Sequence, residues 1–146
     1  MVRGEEATMG TEWVNQYIEA WSTRDSARIV EWMANDCVYE DVTLGETHTG
    51  RDQIATFIDR MTTEFSDDFT FDLAGAASTD SHYWAEWVLT GTHNGSAGAV
   101  PPTGKTFAIR GVSVGTREGG KIKANRDYWD MASFLVQVGL APPPPG

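Results

Sequence analysis

The chain has one cysteine, few basic residues and no long hydrophobic run. Cys37 alone cannot form an intrachain disulfide, which suits a reducing compartment, and its place in the strand-like run Cys37-Val-Tyr reads as a small core residue. Eleven Lys and Arg stand against 21 Asp and Glu, a formal net charge of −10. That balance argues against a nucleic-acid partner and against attraction to an anionic membrane surface, because both need a basic face. No apolar stretch approaches the roughly 18 residues of a membrane span, and the N-terminus lacks the charged-then-apolar order of a secretory signal. A cytoplasmic, soluble protein is expected.

Motifs are missing as well. The three histidines, His48, His82 and His93, fall on different elements without metal-ligand spacing, so no metal is expected. No glycine-rich phosphate loop follows a strand and no GxSxG elbow occurs, so nucleotide cofactors and α/β-hydrolase chemistry lose support. Carboxylates, aromatics and hydroxyls remain, and they suffice for cofactor-free proton transfer.

The 146 residues make one domain, with a core domain at 11–140 and flexible tails at 1–10 and 141–146, the second rich in proline at 142–145. Thr11 is a plausible N-cap for a helix carrying Trp13, Tyr17, Ile18 and Trp21, and Ala27–Met33 resumes the helical pattern. Asp36–Val42 reads as a strand with Cys37, Tyr39 and Asp41 on one face. Gly45–Arg51 reads as a loop holding His48, and Asp52–Thr63 as an amphipathic helix using Ile54, Phe57, Ile58 and Met61. Four β-rich segments follow at Phe69–Ala74, His82–His93, Lys105–Arg117 and Lys121–Trp129, with short connections that predict an antiparallel meander. The long loop Asn94–Gly104 is placed across a cavity mouth. Helices first and strands afterwards give an α+β fold, a curved antiparallel sheet wrapped around N-terminal helices.

The stretch GKIKANRDYWD concentrates the chemistry. Strict alternation from Ile122 puts Lys123, Asn125, Asp127 and Trp129 on one face, and Ile122, Ala124, Arg126 and Tyr128 on the other. An aspartate beside an aromatic wall has its pKa raised by desolvation, as a general base requires. Asp130, just before Met131–Leu140, reads as an N-cap. On Lys105–Arg117, the face with Phe107, Ile109, Gly111 and Ser113 is the better pocket wall.

The runs ANDCVYEDVTLG, HTGRDQIATFI, THNGSAGAVPPTGKTFAIRGV and GKIKANRDYWDMASFLVQVG, in that order over Thr11–Leu140, resemble the nuclear transport factor 2-like superfamily, and within it the SnoaL-like polyketide cyclases. The resemblance implies a cone-shaped α+β barrel with a deep apolar pocket, no cofactor, and a homodimer or larger homo-oligomer. It implies that Asp127 is the acid/base that removes an activated proton from a hydrophobic, polyketide-like carbonyl substrate before aldol-type ring closure. From the ketosteroid isomerase branch it implies an oxyanion-binding role for Tyr17 and a proton-shuttling role for Asp41, with a second donor falling near Ser113. The Arg-x-Asp pair of the limonene-epoxide hydrolases would fall at Trp87 and Leu89, which carry no charge. The expected pocket therefore has Tyr17, Asp41, His93, Ser113 and Asp127 as polar groups. Its expected walls are Trp21, Tyr39, Phe57, Met61, Trp87, Phe107 and Trp129. A ketosteroid isomerase-like or epoxide-opening enzyme is an alternative, as is a non-catalytic binding or dimerisation module on the same fold.

Overall fold

The computed structural model describes residues 2–145, with side chains from residue 10 onward; Met1 and Gly146, at the ends of the two expected tails, lie outside that set. In chain order the elements are α1 (Val2–Ser22), α2 (Ser26–Val30), β1 (Met33–Asp41), β2 (Glu46–Thr49), α3 (Arg51–Glu64), β3 (Thr70–Ser78), β4 (His82–Thr92), β5 (Thr106–Glu118), β6 (Lys121–Trp129) and α4 (Met131–Gln137). The fold is mixed α+β, as expected.

Trp13, Tyr17 and Trp21 recur every four residues, so α1 presents one aromatic stripe to the sheet. Trp13 Nε1 ties that stripe to β3 by donating to Ser78 Oγ at 2.9 Å. Because α1 is continuous from Val2, Thr11 is an interior helical residue and not the N-cap expected of it. The effective caps are aspartates. Asp25 accepts from Ala27 N–H at the start of α2, and Asp130 accepts from Ser133 N–H at 3.0 Å at the start of α4, as expected for Asp130.

One six-stranded sheet runs in the order β2-β1-β6-β5-β4-β3. It curves without closing, since β2 and β3 remain as edges. The β3–β6 segments form the expected antiparallel meander. The exception to antiparallel pairing is β1 with β6, which is parallel. A parallel partner needs a long crossover, and here α3 and four strands intervene between β1 and β6. Residues 46–49, expected as loop, form edge strand β2 against β1, with His48 opposite Tyr39.

The β5–β6 hairpin turns on Gly119 (φ 61°) and Gly120 (φ 78°), the pair of positive angles that a two-residue hairpin of matching twist demands. Just beyond it the strict alternation fails. Thr116 pairs with Ala124 but Arg117 pairs with Ile122, which leaves Lys123 as an extra bulged residue. The bulge swings Ile122 into the core and leaves Lys123 outside, where its ammonium bonds Asp36 at 2.6 Å. From Asn125 onward the expected parity holds: Asn125 and Asp127 are buried, while Arg126 and Tyr128 are exposed.

Candidate active site

A cavity of about 350 Å³ opens between the concave face of the sheet, α3 and α4. Its walls are apolar and aromatic, with Trp21, Phe57, Phe71, Trp87, Trp129 and Phe134 among them. Two buried carboxylates, Asp41 and Asp127, also face it. The parallel register sets Asp41 directly beside Asp127 on the neighbouring strand.

Asp127 is only 8% exposed, and every polar partner it has is uncharged. Ser113 Oγ donates to Oδ1 at 2.6 Å, and Asn125 Nδ2 donates to the same oxygen at 2.9 Å. The Tyr39 hydroxyl donates to Oδ2. Burial pushes the Asp127 carboxyl up to about 6, against the pull of those three donors, and the nearby Asp41 charge adds to the rise. Asp41 is also raised by burial, opposed by Leu44 N–H, which donates at 2.8 Å, and by the Trp129 indole N–H at 3.1 Å.

The donors to Asp127 are themselves held. Trp87 Nε1 donates to Ser113 Oγ at 2.9 Å, and the Tyr83 hydroxyl donates to Asn125 Oδ1. Both rings lie over glycines of β5, because Trp87 pairs with Gly111 and Tyr83 with Gly115 across the strands. A Cβ at Gly111 would sit 2.2 Å from the Trp87 ring, and one at Gly115 would sit 2.6 Å from the Tyr83 ring and 2.3 Å from the Ala124 carbonyl oxygen. Two missing side chains thus make room for two indole or phenol donors that orient the supports of one carboxylate. Ser113→Ala removes a donor to the ionised form, so the Asp127 carboxyl is expected to titrate above about 6 in that variant, read by carbon-detected NMR. An unchanged midpoint would show that the Ser113 bond does not act on Asp127.

At the rim, Arg60 of α3 bonds Glu46 of β2 at 2.6 Å, and His48 Nε2 lies 3.2 Å from the same carboxylate. His48 also stacks on Phe57 with ring centroids 4.5 Å apart. Among the described residues no group of three or more His, Cys, Asp or Glu could hold a metal ion. Among the same described residues no helix is long and apolar enough to cross a membrane.

The sequence profile of SnoaL-like polyketide cyclases matches residues 11–138. The chain belongs to that family. Solved structures agree on the fold. A protein of Catenulispora acidiphila with a ketosteroid isomerase-like fold, solved in complex with trimethylamine, is 25% identical with a TM-score of 0.76, over 88% of this chain and 92% of its own. AclR of Streptomyces galilaeus, a proposed hydroxylase, is 19% identical with a TM-score of 0.79, over 95% and 90%. A proposed polyketide cyclase of Xanthomonas campestris is 22% identical with a TM-score of 0.76, over 91% and 98%.

Against the residues that the SnoaL-like resemblance implied, the structure sorts two groups. Asp41, Asp127, Trp21, Tyr39, Phe57, Met61, Trp87 and Trp129 all line the cavity. Tyr17, His93, Phe107 and Ser113 do not. Tyr17 is buried in the aromatic cluster, 6.3 Å from Trp13 and 6.2 Å from Trp32 by ring centroids. His93 Nδ1 accepts from Thr103 N–H at 3.2 Å and so pins the long loop, whose Ala97 is the residue that reaches the cavity. Phe107 packs behind the wall against Phe65 and Phe134. Ser113 lies one layer back, where its hydroxyl donates to Asp127. Sequence reasoning passed over Asn125 and Tyr83 as site residues. Asn125 was within reach, being two residues from Asp127 on the same strand face; Tyr83 has no local signal, because its partner is 42 residues away.

Proposed function

We propose that this protein is a cofactor-independent cyclase or isomerase in which Asp127 abstracts an activated proton from a hydrophobic carbonyl compound of polyketide type, the enolate then closing a ring by intramolecular aldol attack. The observation that carries this reading is a desolvated carboxylate, free of any cationic partner, at the wall of an aromatic cavity. Such a carboxylate has the basicity that proton abstraction from carbon needs near neutral pH, and the substrate's own carbonyls delocalise the charge. Epoxide opening through an Asp-Arg-Asp arrangement has no support, since Trp87 and Leu89 line the cavity where its charged pair would fall.

The test is turnover by the wild type of a panel comprising aromatic poly-β-keto esters, a Δ5-ketosteroid and a terpene epoxide, followed over pH. A raised acid loses its proton as pH rises through its folded value, so kcat/KM on an accepted carbonyl substrate should climb tenfold per pH unit below about 6 and level off above it. Turnover of the epoxide alone, or a rate flat from pH 4 to 8, would remove the enolate reading.

A further inference from the structure

We propose that Tyr39 is the oxyanion donor of this site, the phenol that holds the enolate oxygen while Asp127 takes the proton. The proposal rests on Asp127 being the base, and it moves to Tyr39 the role that resemblance to the ketosteroid isomerases assigns to Tyr17.

Placement favours Tyr39. It lines the cavity, whereas Tyr17 sits behind the wall among Trp13, Trp21 and Trp32. Period-two alternation on β1 turns Tyr39 inward with Cys37 and Asp41, and its ring is held between Trp21 at 5.9 Å and Phe57 at 5.8 Å. Only the hydroxyl is left with freedom to change partners.

The lone pairs of Asp127 divide the work. Oδ1 accepts from both Ser113 and Asn125, so its two acceptor sites are filled. Oδ2 accepts from Tyr39 alone, which leaves it one open site. The oxygen that can take a proton is therefore the one already touching the Tyr39 hydroxyl. An enolisable carbonyl compound presents its acidic C–H and its C=O on adjacent carbons, so a base and an oxyanion donor must also be neighbours. Here they are in hydrogen-bond contact.

The step balances within that contact. The C–H bond breaks and its proton passes to Asp127 Oδ2. The electron pair moves into the C–C bond, and the negative charge settles on the former carbonyl oxygen. Asp127, now neutral, is a weaker acceptor than the new enolate oxygen, so the Tyr39 O–H turns from one to the other. Burial keeps the Tyr39 phenol well above its ordinary pKa, so it stays protonated and remains a donor throughout.

The test follows exchange of the acidic protons of 2-tetralone in D2O by NMR, with wild type, Tyr39→Phe, Tyr17→Phe and Asp127→Asn. Loss of an oxyanion donor is worth about 10²–10³ in rate, so Tyr39→Phe should fall by that much and by at least about tenfold more than Tyr17→Phe. A carbon-detected titration of the same variant gives a reading independent of turnover. Removing the hydroxyl should raise the Asp127 midpoint above its wild-type value of about 6 while the thermal transition remains cooperative. Exchange that vanishes in Asp127→Asn but persists at the wild-type rate in Tyr39→Phe overturns Tyr39 alone. So does a Tyr17→Phe loss equal to or greater than that of Tyr39→Phe. Wild-type exchange no faster than buffer, or undiminished in Asp127→Asn, overturns the base assignment and Tyr39's part with it.

Discussion

Asp127→Asn is expected to lower kcat on any accepted carbonyl substrate by about 10²–10⁴-fold, the usual worth of a positioned general base. The amide nearly matches the carboxylate in shape, so the cavity stays while the proton acceptor goes. The same variant makes a second, opposite prediction for stability. The folded-state pKa of Asp127 lies above its ordinary value of 3.8, at about 6. A raised acid binds its proton more tightly when folded, so its contribution to stability is complete below about pH 4 and is lost as pH rises through about 6. The loss by pH 8 is roughly 3 kcal/mol, on the scale of about 1.4 kcal/mol per pKa unit. Asp127→Asn should erase that slope, so that the variant unfolds at higher urea than the wild type at pH 8 despite its lost activity. A variant that keeps the activity would show that Asp127 is not the base, and one whose pH-stability profile copies the wild type would show that it is not a desolvated acid.

Gly111→Ala is the second large effect, and it comes from a residue with no side chain. The new Cβ would lie 2.2, 2.4 and 2.7 Å from three atoms of the Trp87 ring. That ring is 3% exposed and its Nε1 is bonded to Ser113, so it cannot yield without losing both packing and a hydrogen bond. Overpacking of this kind costs about 1–3 kcal/mol, to be read as a lower midpoint in urea. Because Trp87 supports Ser113 and Ser113 supports Asp127, the Asp127 midpoint should move upward as well, as in Ser113→Ala. Unchanged stability together with an unchanged midpoint would mean that the ring has room elsewhere and that the relay through Trp87 is idle.

Part of this site is written locally. Period-two alternation is enough to put Tyr39 with Asp41 and Asp127 with Trp129, each pair on one strand face. Gly119-Gly120 dictates a tight turn through φ, and Asp130 caps α4 through its own side chain, so both are readable within a few residues. The alternation misled only at Lys123, where the bulge depends on what β6 pairs with on each side. Thr11 misled for a related reason, since a capping residue says where a helix can start and not where it does.

What only the tertiary structure decided is who meets whom across the sheet. The parallel β1–β6 register sets Asp41 beside Asp127 and brings the Tyr39 hydroxyl onto Asp127, 88 residues away in the chain. The pairing of Trp87 with Gly111 and of Tyr83 with Gly115 builds the supports of the carboxylate, and the Glu46–Arg60 pair closes the rim. By itself the sequence determined the α+β class, the inward faces of the strands and Asp127 as the residue to watch. Alternation, caps and turn angles are set by interactions within a few residues, so the chain displays them directly. Register, bulges and cross-strand partners are set by the combined packing of distant segments, and no single segment carries that information.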